Sequence, residues 1–281
     1  MDSQKQFERT FSFEFFPPRT AEAAKKLVDT RDKLATLKPR YFSVTFGAGG
    51  STQKGTLEAV LDIRKAGHDA APHISCIGTE KSVIAELLNT YKDNGIKHIV
   101  ALRGDMPSGS HDVGDFQHAS QLISFIRETT GDHFHIEVAA YPELHPQSPS
   151  VQSEIKYFKE KVDAGANSAL TQFFYNPDAY YRYIDDCEKN NINIPIVPGI
   201  APITNYTNLA RFADNCGAEI PRWILKRLID FGDDRAAIYD FGLEVVTKLC
   251  QDLLDNGAPG LHFYTMNGAK ASTALWKNLN L

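Results

Sequence analysis

The sequence predicts an α/β protein: a single (β/α)8 TIM barrel with extra helices between the seventh and eighth strands. Eight short apolar runs, rich in β-branched and aromatic residues, recur along the chain. Amphipathic stretches of helical period separate them. Successive runs start about 25–40 residues apart until the last pair, in keeping with a strand–helix unit of ~30 residues. Parallel neighbours need a crossover helix, so this alternation means a parallel sheet. Eight units favour closure into a barrel over an open doubly wound sheet, and no GxGxxG fingerprint follows any strand.

The first run is FSFEFF (11–16), stopped by Pro17 and Pro18, which lack the donor that a ladder needs. EAAKKLVDTRDKLATL (22–37) follows as a helix, with Ala24, Leu27, Val28, Leu34 and Leu37 on or near one face. YFSVTF (41–46) is the second strand and leads into GAGGST (47–52), which is neither a dinucleotide fingerprint nor a Walker A loop. PHISCI (72–77) is the third, followed by a helix over 81–95 that Asn94-Gly95 closes. HIVALR (98–103) and FHIEVAAY (134–141) are the fourth and fifth. A helix over 153–166 ends at Gly165, and SALTQFFY (168–175) is the sixth strand. IPIVPGI (194–200) and GLHFYT (260–265) complete the set, and RFADNCG and PRWILKRLIDFGDD supply the extra helices between them.

The chain has 281 residues, 42% hydrophobic and 23% charged, an ordinary globular balance. A barrel can use ~250 residues as one domain, so residues 1–281 are expected to form one catalytic unit. A net charge of -5 and a pI near 6.0 argue against nucleic acid as partner. No apolar run approaches the ~18 residues of a membrane span, and MDSQKQFERT lacks a signal core. The four cysteines are scattered without a CxxC pair, as expected of reduced thiols in a cytoplasmic protein.

Barrels carry their reactive groups at the C-terminal ends of the strands. Those ends present Glu14, Thr45, His73, Arg103-Gly104-Asp105, Tyr141 with His145, Gln172, and finally His262, Tyr264, Thr265 and Asn267. Most have a plain structural reading. His73 suits a hydrogen-bonded core, Arg103 and Asp105 a loop ion pair, and Gly47–Gly50 a turn. His133-x-His135 lacks supporting ligands for a metal and reads as a solvated turn entering strand five. Glu14 differs, because a glutamate is almost never fully buried without a partner. Burial disfavours the charged form, so this carboxyl is expected to be protonated more readily than in water and to act as an acid.

FSFEFFPPR, SVTFGAGG, APHISC, GIKHIVALRGD, VAAYPELHP, KVDAGANSALTQFFY, IVPGIAPITN and LHFYTMN, in that order and spacing, resemble methylenetetrahydrofolate reductases of the bacterial type over roughly residues 11–270. The resemblance implies non-covalent FAD, with NADH or NADPH and 5,10-methylenetetrahydrofolate used in turn at one flavin face by a ping-pong route. The product would be 5-methyltetrahydrofolate, which feeds methionine biosynthesis. It implies that Glu14 is the general acid that protonates N10 of the folate, and that Asp105 favours the cationic 5-iminium. It also implies flavin contacts at Thr45, Phe46, Ala48, His73, Arg103, Gly104, Asp105, His118, Ala119, Tyr141, His145, Glu154 and Lys161. For folate and nicotinamide it implies Glu14, Asp105, Gln172, Asn208, Phe212 and Lys270. A homo-oligomer without the C-terminal regulatory domain of eukaryotic members is the expectation.

Departures from the family pattern are specific. Met266-Asn267-Gly268 stands where Leu-Asn-Arg is typical, so an arginine that contacts folate is absent, with Lys270 two residues on. A lysine cannot supply a planar bidentate fork. Asn208 stands for a glutamine, Phe46 for a common tyrosine and Glu154 for an aspartate. A cobalamin-linked methyl-folate methyltransferase barrel and a non-catalytic folate or flavin binder are the competing expectations.

Overall fold

The computed structural model describes residues 1–46, 53–104 and 114–281. After a short helix α1 (Asp2–Lys5), strands and helices alternate: β1 (Thr10–Phe15), α2 (Ala21–Ala35), β2 (Tyr41–Val44), α3 (Gln53–Lys65), β3 (Ala70–Ser75), α4 (Lys81–Asp93), β4 (His98–Leu102), α5 (Ala119–Thr130), β5 (His135–Ala140), α6 (Val151–Asp163), β6 (Ser168–Thr171) and α7 (Pro177–Lys189). Then come β7 (Ile196–Val197), β8 (Gly199–Ile200), α8 (Tyr206–Cys216), α9 (Arg222–Asp230), α10 (Arg235–Asp255), β9 (Gly260–Tyr264) and α11 (Ala269–Asn278). The expected extra helices are α8 and α9.

All pairings are parallel, in the order β7-β6-β5-β4-β3-β2-β1-β9-β8. The seventh strand, expected as one run over 194–200, is two short strands separated by Pro198. Proline has no N–H to donate, so the ladder breaks there. The Pro198 carbonyl still accepts from His262 N at 2.9 Å. Since β7 pairs with β6 and β8 with β9, the interrupted strand closes the barrel. The sixth strand is shorter than expected: it stops at Thr171, so Gln172 starts the exit turn and its Oε1 accepts from Phe173 N at 3.0 Å.

The two-residue alternation of a strand sorts side chains between wall and lumen. On β1, Phe13 and Phe15 are fully buried in the large cluster shared with the helices. Ser12 and Glu14 take the opposite face and point inward with His262 and Ser43. The lumen also holds a small apolar set of Tyr41, Ala71, Val100, Leu170 and Val197. Local signals start the helices: Thr20 accepts from Ala23 N, Ser150 from Ser153 N, and Asp234 from Ala236 N and Ala237 N. Gly199 is required by space, because a Cβ there would lie 2.1 Å from Thr171 O and 2.7 Å from the Tyr264 ring.

Candidate active site

Glu14 sits one residue before the end of β1, only 8% exposed. The β1–β9 register places Ser12 beside His262. His262 Nε2 lies 3.2 Å from Glu14 Oε2, and its Nδ1 lies 2.7 Å from Ser12 Oγ. His73 Nε2 approaches the same carboxylate oxygen to 3.2 Å. That contact is off the hydrogen-bonding direction, since His73 Nε2 has no directed partner. Ser43 Oγ is at the hydrogen-bonding limit, 3.5 Å from Glu14 Oε2. The backbone is fixed as well. Thr265 Oγ1 donates to Glu14 O at 2.6 Å, and the Asn267 amide pairs with both the N–H and C=O of Phe16 at 2.8 and 2.9 Å.

This surrounding reverses the expected direction of the Glu14 pKa. Burial pushes it up, as expected. The charge of His73, the hydrogen bond from His262 and the charge of His262 together outweigh burial and bring it down to about 2. The pH consequence follows from the sign. A carboxyl depressed from 4.5 to about 2 adds stability above pH 4.5 that is lost as pH falls toward 2. The full contribution is about 3 kcal/mol. Unfolding followed by denaturant should thus show a steeper loss between pH 4.5 and 2 in the native protein than in Glu14→Gln.

A second feature opens beside this cluster. Arg103, Gly104, His118, Ala119, Tyr141, His145, Glu154 and Lys161 line one cleft of about 320 Å³ that is open to solvent. Eight residues expected at the flavin are thus brought together from the exits of β4 and β5 and from α5 and α6. Lys161 is not the surface lysine its helix position suggests. It is buried, donates to Ala139 O at 2.6 Å, and burial pushes its pKa down to about 8 against the opposing pull of Glu154. Arg103 Nη2 donates to Gln147 Oε1. His118 stacks on Tyr157 with ring centroids 6.4 Å apart. Gly104 has φ +82, and a Cβ there would fall 1.7 Å from Ser75 Oγ. Only glycine lets the backbone run this close to β3.

The other expected residues lie apart from the cleft lining. His73 belongs to the Glu14 cluster. Thr45 sits at the β2 exit, its N–H bonded to Phe15 O and its carbonyl accepting from Thr56 Oγ1. Phe46 packs partly buried against the core. Phe212 stacks on Phe173 with centroids 4.9 Å apart. Asn208 is exposed on α8, its N–H capped by Asn205. Lys270 is exposed with Nζ 4.4 Å over the Tyr239 ring. Ala48 and Asp105 lie outside the described residues. Among the described residues no group of His, Cys, Asp or Glu is arranged to hold a metal, and no helix is long and apolar enough to cross a membrane.

The strand-end residues His262, Thr265 and Asn267, to which sequence reasoning assigned no role, lie at the carboxylate and the rim, and Ser12, which was not among the strand ends, joins them. Ser12 carried a signal, because Ser12 and Glu14 are polar at a two-residue step inside an apolar strand.

A family model described as methylenetetrahydrofolate reductase matches residues 1–280. The chain is 39% identical over 271 residues to a 5,10-methylenetetrahydrofolate reductase of Escherichia coli (strain K12), covering 96% of this chain and 90% of that protein. It is 42% identical over 260 residues to the protein of the same name from Buchnera aphidicola subsp. Schizaphis graminum, covering 91% and 87%. A solved structure of an uncharacterised Clostridium thermocellum protein, which binds two copies of 5-methyl-5,6,7,8-tetrahydrofolic acid, is similar at TM-score 0.72 and 14% identity, covering 99% of this chain and 96% of that one. At that identity the likeness speaks for the fold. The match over nearly the whole length, in sequence and in the barrel that carries Glu14, means that the chain belongs to the methylenetetrahydrofolate reductase family.

Proposed function

We propose that residues 1–281 form one catalytic unit that reduces 5,10-methylenetetrahydrofolate to 5-methyltetrahydrofolate with NADH or NADPH, through non-covalent FAD and a ping-pong exchange at one site. The observation that carries this reading is the pairing of a buried carboxylate–imidazole cluster with a cleft lined by Arg103, His118, His145 and Lys161 at the strand exits. The cleft fits FAD. Arg103, His118, His145 and Lys161 line it, and they are the donor set a pyrophosphate needs. Lys161, whose pKa burial lowers to about 8, would have its charged form further favoured beside a phosphate. Gly104 leaves the backbone free to approach a flat ligand. When bound, FAD would supply the hydride chemistry between the nicotinamide and the one-carbon unit.

The chain's own part is placement and proton delivery. Opening the folate ring needs a proton at N10, and Glu14 is the group we assign to deliver it. Its pKa of about 2 is compatible with this task if His262 Nε2, 3.2 Å from Glu14 Oε2, passes it the proton. Moving a proton from an imidazole to the carboxylate recreates the neutral acid, and burial favours that neutral form. Asp105 is assigned to the cationic iminium, and Gln172 and Phe212 to the alternating folate and nicotinamide. Thr265 and Asn267 hold the β1 exit so that Glu14 keeps its aim. A homo-oligomer in the cytoplasm, serving methionine biosynthesis, completes the reading.

The visible spectrum of the purified protein tests it. A yellow protein whose colour bleaches anaerobically with NADH or NADPH is expected. A colourless protein that takes up no added FAD would sink the reading, and a cobalamin-linked methyltransferase barrel would behave that way.

Gly268 offers a further check. Its φ of −125° is ordinary, and a Cβ there meets nothing nearer than Thr265 O at 3.5 Å. An arginine therefore fits the backbone. Gly268→Arg is expected to tighten folate binding by ~10-fold, the scale of one charge-assisted hydrogen bond. Unchanged or weaker binding in a direct titration would mean that this chain recognises folate without that contact.

A further inference from the structure

The middle of a TIM barrel is ordinarily filled by layers of bulky apolar side chains. Here a line of polar groups runs through it. It begins at Glu14 and passes to His262 at 3.2 Å and to Ser12 at 2.7 Å. The Ser12 side chain also acts on the Tyr41 hydroxyl, opposing the burial and the Glu137 charge that raise its pKa. Tyr41 then crosses the lumen from β2 to β5 and donates to Glu137 Oε2 at 2.6 Å. Ser168 Oγ donates to Glu137 Oε1 at 3.1 Å and lies 2.7 Å from His135 Nε2. Thus the expected turn histidine is lumen-facing. It is the first residue of β5, half-buried, at the opposite mouth of the barrel from Glu14.

Stability does not call for this line. Glu137 is 3% exposed and makes no ion pair among the described residues; it is held by two hydroxyls. A buried carboxylate so held is expensive, and an apolar layer would serve packing at least as well. Each link is instead a hydrogen-bonding group able to give one proton and take one. At the far mouth, burial pushes the pKa of both His135 and His98 down, which leaves imidazoles that can accept a proton and release it. His98 stacks edge-on with His135 at 4.6 Å, and the charges of Arg40, Arg127 and Glu137 also act on His135.

We propose that this line is a proton path that reloads the Glu14 cluster from the N-terminal mouth of the barrel while folate and cofactor cover the other mouth. The proposal rests on the reading of Glu14 as the acid. After Glu14 gives its proton to N10, His262 Nε2 replaces it and Ser12 reloads His262 Nδ1. The Tyr41 O–H turns from Glu137 to Ser12, passes its proton on, and is reloaded by Glu137. Ser168 hands Glu137 a proton drawn through His135 from water. One proton enters for each one consumed, and no electrons move.

The test uses holoenzyme and compares the first turnover with later ones. Tyr41→Phe keeps the ring and removes the central link; Ser168→Ala cuts the line near the far mouth. Enzyme reduced and equilibrated beforehand starts with a loaded cluster. Its first reaction with methylenetetrahydrofolate should proceed at the native rate. Steady-state turnover should fall by ~10-fold or more, within the range of general acid–base effects, and added imidazole should restore it. A merely structural role would slow both phases together and give no rescue. Either that pattern or an unchanged steady state in a folded Ser168→Ala protein would overturn the path. A normal folate half-reaction in Glu14→Gln would instead remove the reading on which the path rests, so the two failures are distinguishable.

Discussion

Glu14→Gln is expected to bind FAD and to accept hydride from NADH or NADPH at the native rate, while its folate half-reaction slows by ~10²-fold or more. The glutamine keeps the size of the side chain and can still meet His262 and Ser43. Glu14 does not line the cleft proposed for the flavin, so cofactor binding should be spared. What the amide lacks is a transferable proton for N10. Rapid mixing of reduced enzyme with methylenetetrahydrofolate measures this step alone. A native rate there would refute the assignment. An equal loss in both half-reactions would point to a distorted site instead.

Gly104→Ala is expected to lower the melting temperature by roughly 5–10 °C and to weaken FAD binding severely. Two costs combine. The left-handed φ of +82 disfavours a Cβ by about 1–2 kcal/mol, and overlap in a packed region costs about 1–3 kcal/mol more. The overlap is with Ser75 Oγ at 1.7 Å and Ser75 Cβ at 2.9 Å. Ser75 Oγ donates to Arg103 O at 3.0 Å. Moving it aside breaks that bond and displaces the backbone of a cleft arginine. Adding Ser75→Ala should therefore recover part of the lost stability, because the nearest clashing atom is gone. Calorimetry of the single and double variants measures the coupling. Strict additivity would show that the backbone conformation alone carries the loss.

Much of the barrel was legible because local pattern and global fold agree. FSFEFF alternates, so its phenylalanines face the helices and Glu14 the lumen. Pro198 also carried the break in strand seven, in plain view inside IPIVPGI. The strand ends were harder to read. Apolar runs continue past the point where the chain leaves the sheet, as at Gln172 and Phe173, and hydrophobicity does not mark that point.

The site was legible where one residue type decides the chemistry and obscure where distance in sequence does. A buried glutamate in β1 can be suspected from ten letters. Its low pKa cannot, because His73 and His262 arrive from β3 and β9, 59 and 248 positions away. Lys161 looked like a surface lysine because helix periodicity does not tell which flank meets the rim of the sheet. His135 looked solvated because its partner, Ser168, comes from the next strand.

The most direct test of the central claim is the reoxidation of anaerobically reduced enzyme by methylenetetrahydrofolate. Return of the oxidised-flavin colour with formation of one 5-methyltetrahydrofolate per flavin is the expected result. A flavin that NADH reduces but methylenetetrahydrofolate leaves reduced would contradict the claim.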